Sequence, residues 1–219
     1  MGVATIPIIV WMGISLEDAV TVLIPCVFCQ TLFNCYQNRH DLPWKEIKLV
    51  FILRLIGLPI GIMTLHWSVT QSQDVARSVL GMGIFVIIGF QIITSKTTGR
   101  MGAGWIIPTG LTSGFFAGLI GMGGPSLVLW VVRQDWTTQR QRVFLWLSFL
   151  LIIPFQAILM IWSFGSEMLV TIGYGTVIVP FSIAGAWLGH HYGKGISTGN
   201  LRVLMYCFLI VIAIRLLFF

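Results

Sequence analysis

The sequence predicts an all-α integral membrane protein made of two related halves, each of about four helical segments. Three observations predict it. Of 219 residues, 57% are hydrophobic and 9% charged, whereas a soluble domain carries about 25% charged residues; the mean hydropathy is +0.93. The low-charge stretches are long enough to cross a bilayer as helices, which takes roughly 20 apolar residues. The apolar runs are continuous, whereas a lipid-facing barrel strand alternates with period two.

The apolar segments run approximately over 3–14, 19–36, 47–65, 75–93, 104–132, 141–163, 168–189 and 201–219. The first is too short to span, and the fifth is long and interrupted by Gly121-Met122-Gly123-Gly124-Pro125. Short polar stretches separate the rest, among them Asn38-Arg39-His40-Asp41 and Thr70-Gln71-Ser72-Gln73-Asp74, so helices adjacent in sequence are expected to pack as neighbours. No soluble domain fits between them. The net charge of +6 would suggest nucleic acid in a soluble protein; in a membrane protein it reads as loop Lys and Arg meeting the cytoplasmic leaflet, with no nucleic-acid partner. The four cysteines lie in or beside apolar segments and do not suggest a disulfide framework. The N-terminus lacks a basic region and a small-residue cleavage site, so it does not read as a signal peptide.

A weak internal repeat divides the chain into a first membrane repeat over 1–95 and a second over 104–219, with a seam near 94–103. Pro7-Ile8-Ile9-Val10-Trp11 resembles Pro125-Ser126-Leu127-Val128-Leu129-Trp130, and each precedes a polar loop and an apolar helix containing a glutamine, Gln30 or Gln156. The third helix of each half has small residues four apart (Gly57 and Gly61; Gly185, Gly189 and Gly193), and the last opens with Arg77 or Arg202. In this alignment Met1 falls near Gly121, so the first half lacks a counterpart of 104–120. Either the true start lies upstream or a half-helix has been lost; a truncated start is the expectation.

Loop charge bears on topology. Lys and Arg gather after the second and fourth segments (Arg39, Lys45, Lys48; Lys96, Arg100) and after the fifth and seventh (Arg133, Arg140, Arg142; Lys194). If all eight segments crossed, these sets would lie on opposite faces, against the positive-inside tendency. If 104–132 enters and turns back at its glycines, both sets share one face, and the halves are inverted relative to each other.

The chemistry concentrates in the stretch from Gly110 to Ser126. Gly110, Gly114 and Gly118 recur every four residues, a stripe that ordinarily means close helix packing. Gly121, Gly123, Gly124 and Pro125 cannot sustain a regular helix, since each glycine costs about 1 kcal/mol and proline more. Broken backbone at membrane depth is tolerated where protein or a water-lined cavity satisfies its polar groups. Proline suits the start of a new helix, whose first N–H groups, near Ser126, would point into the break and offer an anion site. A plain structural kink is the alternative reading.

The run Ala117-Gly118-Leu119-Ile120-Gly121-Met122-Gly123-Gly124-Pro125, the two-half layout and the helix with Gly185-Ala186-Trp187-Leu188-Gly189 resemble the sulfite exporter TauE/SafE family over essentially the whole chain. The resemblance implies transport of sulfite, thiosulfate, sulfonates or related small organic anions across the plasma membrane, here of a bacterial cell. In the family the glycine motif appears in both halves. Here its first copy survives only as Gly2-Val3-Ala4-Thr5, and its second has proline where a third glycine is common.

The charge inventory points the same way. All seven acids sit in or next to loops, whereas a cation transporter or proton pump usually buries a carboxylate. Two arginines are embedded instead, Arg54 and Arg215. An intramembrane charge costs roughly 3 kcal/mol or more, so Arg54 is the candidate side chain for substrate charge; the alternatives are snorkelling or pairing with carbonyls. Arg215 reads as a snorkeller. Gln30 and Gln156 are candidates for donating to an anion or for interhelical hydrogen bonds. Cys26-x-x-Cys29 lacks the partners of a zinc site and reads as packing; the histidines at helix ends take no role.

Together these residues predict a secondary transporter of small anions, with Gly121, Gly123, Gly124, Pro125, Ser126, Arg54, Gln30 and Gln156 as substrate-binding candidates, no cofactor and no metal. The rivals are a membrane scaffold or accessory subunit without transport, and an intramembrane enzyme. The enzyme reading needs a nucleophile and base within hydrogen-bond reach, and no Ser–His or Cys–His pair clearly shares a depth. Substrate identity, coupling and oligomeric state are not legible from these patterns.

Overall fold

The computed structural model describes residues 2–39, 42–95 and 102–192. The expected last segment, 201–219, and with it Arg202 and Arg215, lie outside the described residues. Among the described residues nine α-helices form: α1 Gly2–Trp11, α2 Leu16–Val22, α3 Ile24–Gln37, α4 Trp44–Gln71, α5 Gln73–Ser95, α6 Ile106–Ile120, α7 Gly124–Val132, α8 Thr138–Phe164 and α9 Glu167–Tyr192. Four stretches are long and apolar enough to cross a membrane: Leu16–Gln37, Glu46–Gln71, Thr138–Phe164 and Glu167–Gly185. The protein is a multi-pass helical membrane protein.

The second apolar segment is one crossing in two pieces. α2 is capped by Ser15, whose hydroxyl accepts from the Asp18 amide, and it ends at Leu23, where Pro25 at the head of α3 starts a new helix. Gly175 of α9 packs against this joint, since a Cβ there would lie 2.9 Å from the Pro25 ring. Helix α8 is likewise capped, the Thr137 hydroxyl accepting from the Arg140 amide. Such caps typically contribute about 1 kcal/mol.

The fifth apolar segment divides into α6 and α7. Gly121 closes α6 in the left-handed conformation, φ +65°, a geometry glycine adopts without a Cβ penalty. The chain then doubles back: the Ser113 hydroxyl, seven residues before the end of α6, donates to the Gly123 carbonyl at 2.5 Å. Ile106 at the start of α6 packs on the same apolar cluster as Trp130 and Val131 at the end of α7. Fifteen residues of α6 span only about 22 Å, short of a roughly 30 Å hydrocarbon core. α6 and α7 therefore enter and leave at one end of the bundle.

The tightest packing is between α4 and α6, which run parallel. A Cβ on Gly57 would sit 2.9 Å from the Phe115 amide, and one on Gly61 equally close to that of Leu119. From the other side, a Cβ on Gly114 would meet the Arg54 Cα at 2.8 Å, and one on Gly118 the Ile62 amide at 2.8 Å. Two glycine stripes meet face to face, so the backbones approach as closely as small residues permit. Of the stripe expected on α9, Gly185 has open space beside it, and Gly193 lies outside the described residues.

One end of the bundle collects the end of α3, the starts of α4, α6 and α8, and the end of α7. Cys35, Ile47, Val131 and Phe144 form its core, and Arg140 pairs with Glu46 across its surface. The opposite end joins α2 to α9, where Thr171 donates to Asp18 at 2.8 Å, and α4 to α8, where His66 meets the Phe164 ring at 5.3 Å. Charge divides with this geometry. Arg39, Lys48, Arg133, Arg140 and Arg142 outnumber Glu46 and Asp135 at the first end, while at the second Glu17, Asp18, Asp74 and Glu167 outnumber Arg77, which pairs with Asp74. Helices α1 and α7 leave the centre toward opposite ends: Ile6 lies beside the hairpin tip at Gly121, and α1 continues to the loop before α2.

Candidate functional site

At the glycine break a partly open cavity of about 250 Å³ lies between α1, α2, α3, α4, α8 and the α6–α7 hairpin. Drug-sized ligands occupy pockets of roughly 300–1,000 Å³, so this one suits something smaller. Six of the sequence candidates line it: Gln30, Arg54, Gly121, Gly123, Gly124 and Gln156. Thr31 and Asn34 add polar groups, and Ile6, Trp146, Phe149 and Ile152 an apolar wall. The other two candidates, Pro125 and Ser126, line a separate cavity of about 80 Å³ with Thr112 and Phe116. They fall outside the first cavity because α7 presents successive residues on different faces.

Arg54 is the centre of the site. It lies about ten residues into α4 and is 0% exposed, so its head does not snorkel to an interface. Nη1 donates to the Ser148 carbonyl at 2.7 Å and to the Ser148 hydroxyl at 3.0 Å, the carbonyl contact being part of the bland alternative for this arginine. Nε and Nη2 are buried without a hydrogen-bond partner. The guanidinium carbon lies 5.0 Å from the centroid of the Phe149 ring, a cation–π distance. Removing a charged group from water carries an effective penalty of several kcal/mol unless it is compensated. Here the compensation within the protein is partial, and the arginine side chain is part of the cavity lining.

Gly123 makes room for this arrangement. A Cβ at that position would lie 3.0 Å from Arg54 Nη2 and 2.8 Å from the Ala117 Cβ. Its own carbonyl accepts from the Ser113 hydroxyl. Gln156 donates to the Ala117 carbonyl at 2.9 Å, an interhelical bond that leaves its second amide hydrogen and its oxygen. α7 starts at the cavity with no side-chain cap on its first N–H groups, the positive end of a short helix dipole.

Sequence patterns alone do not single out Ser113, Ser148 and Phe149. For the two serines the available signal is a hydroxyl within an otherwise apolar run, the kind of signal that marks Gln156. Cys26 is buried and its thiol reaches the Gly175 carbonyl at 3.5 Å, consistent with packing, and among the described residues no cluster of His, Cys, Asp or Glu could hold a metal ion.

The family model for the sulfite exporter TauE/SafE matches residues 1–216. The chain belongs to the sulfite exporter TauE/SafE family. No curated protein and no solved structure matches it. TauE/SafE membership gives this helical bundle a transporter role, and the family's members are transporters rather than enzymes.

Proposed function

We propose that this chain is a secondary transporter that moves a small anion across the bacterial plasma membrane, the substrate being sulfite, thiosulfate, a sulfonate or a related organic anion. The observation that carries the reading is the fully buried Arg54 with two nitrogens lacking partners beside a small cavity. An anion entering the cavity completes the arginine's hydrogen bonding, and the capless start of α7 adds a favourable dipole. Gln30 from α3 and Gln156 from α8 supply amide donors. No cofactor is required, because the work is binding and release.

In this reading 1–95 and 104–219 are inverted repeats, with α1 and α7 as corresponding half-helices that meet near mid-membrane. Inverted repeats with broken helices at the midplane are a common transporter plan. Pro7 lies inside α1 whereas Pro125 opens α7, so the correspondence is one of position rather than of capping. The basic end of the bundle faces the cytoplasm by the positive-inside tendency.

The test is uptake of radiolabelled sulfite and of thiosulfate into liposomes containing the purified chain. Saturable uptake of either supports the reading. Absence of flux for any small anion favours a scaffold or accessory subunit.

A further inference from the structure

The guanidinium of Arg54 has two distinct edges, and the protein occupies only one of them. Nη1 is spent on Ser148, whose carbonyl and hydroxyl both accept from it. The hydroxyl is held as an acceptor because its own proton goes to the Leu145 carbonyl at 2.9 Å. Phe149, the next residue on α8, lies against the guanidinium face. What is left is the side-on edge, where Nε–H and one Nη2–H run parallel; both nitrogens are buried and unpartnered. Gly123 lies against the Nη2 end of that edge, where a Cβ would come within 3.0 Å of the nitrogen, and both Gly123 and Arg54 line the cavity.

We infer that Ser148 is a positioning residue that fixes Arg54 so that only its Nε–Nη2 edge is offered to the cavity, making the site selective for anions that present two oxygens on one centre. This rests on the anion-site reading of the cavity. Two parallel N–H groups match two oxygens of a sulfonate, sulfite or carboxylate group in a bidentate pair, and the match adds geometric specificity as well as strength. A monatomic or linear anion of single-point contact, such as chloride or thiocyanate, satisfies the edge less well. Ser148 does not line the cavity and acts only through the arginine. Without the hydroxyl, Nη1 keeps the Ser148 carbonyl alone, and a guanidinium held by one bond in place of two can pivot about it and turn Nη2 end-on, which suits single-point anions equally.

The experiment is competition against labelled sulfite uptake in liposomes, with methanesulfonate and acetate compared with thiocyanate and chloride. In the wild type the two-oxygen ions compete at about tenfold lower concentration or better, the scale of one good bidentate pair over a single contact. Ser148→Ala lowers that ratio to about threefold or less and raises half-saturation for sulfite with the maximal rate kept; Ser148→Thr, which retains the hydroxyl, restores both. A wild-type ratio near one overturns the inference whether or not any variant folds. So does a Ser148→Ala protein that keeps the wild-type ratio. Wild-type uptake that never saturates overturns the anion-site reading itself, a result distinct from saturable uptake without selectivity.

Discussion

Arg54 on α4 and Ser148 on α8, 94 positions apart in sequence, are joined by two hydrogen bonds from one guanidinium nitrogen, at 2.7 and 3.0 Å. The bonds anchor a charge at the centre of the bundle while leaving most of its donors free. A residue that served only to tie helices together would be expected to use its donors on protein. The stability of substituted proteins tests that difference.

Arg54→Met keeps much of the side-chain volume and removes the charge. A buried charge that is not fully compensated carries a desolvation penalty of several kcal/mol, so replacing it by a well-packed apolar residue relieves that penalty, whereas removing one partner of a satisfied buried pair costs about 3–5 kcal/mol. The expected result in detergent is a melting temperature equal to or above that of the wild type, together with loss of anion uptake. A strongly lowered melting temperature would make Arg54 a structural tie instead.

The glycines divide into those that touch a neighbouring backbone and those that do not. A Cβ on Gly114 would meet Arg54 Cα at 2.8 Å, whereas nothing lies within 4 Å of one on Gly173, inside α9. Gly114→Ala is expected to destabilise the protein by about 1–3 kcal/mol through overpacking. Gly173→Ala is expected to be neutral or to stabilise by up to about 1 kcal/mol through helix propensity. Thermal denaturation of both proteins in the same detergent checks the pair.

At Gly123 the backbone φ is −68°, which any residue adopts, so a substitution there acts through space alone. Gly123→Ala would place its methyl 2.5 Å from the Ser113 carbonyl, 2.8 Å from the Ala117 Cβ and 3.0 Å from Arg54 Nη2. The expected outcome is a destabilisation of about 1–3 kcal/mol through overpacking, together with half-saturation raised about tenfold or more, equivalent to about 1.4 kcal/mol, in the protein that does fold. Uptake kinetics beside size-exclusion profiles measure both.

The α6–α7 hairpin places Gly102 and Gln139 at the same end of the bundle and Ser166 at the other. Single cysteines at these three positions, in a background with the native cysteines replaced, are expected to react with a membrane-impermeant thiol reagent from one side for Gly102→Cys and Gln139→Cys. Ser166→Cys is expected to react from the opposite side. Labelling of the first two from different sides would mean that 104–132 crosses the membrane.

Much of this arrangement is legible in the amino-acid sequence, for physical reasons. Hydrophobic runs show where helices lie in a bilayer, and the cluster Gly121 to Pro125 marks a break because no regular helix tolerates it. Arg54 stands out because charge is costly at that depth. Pairing is not legible: that the Gly57–Gly61 stripe meets Gly110, Gly114 and Gly118 depends on which helices become neighbours, and sequence order suggests α5 beside α4 as readily as α6. The division of the second segment at Leu23 is hidden because both sides of it are apolar, and only Pro25 hints at it. The roles of Ser113 and Ser148 need three dimensions, since each acts on a residue from another helix or across the break. The placement of Pro125 and Ser126 in a second cavity reflects helical periodicity, which puts neighbours in sequence on different faces.

The most direct test of the central claim is equilibrium binding of labelled sulfite to the purified wild-type chain and to Arg54→Met in the same detergent, with both shown to be folded. Saturable binding of about one anion per chain is expected, following from the unpaired guanidinium edge of Arg54 at the glycine-break cavity, together with its loss in Arg54→Met. Equal binding by both proteins would contradict the assignment of Arg54 as the group that holds the anion.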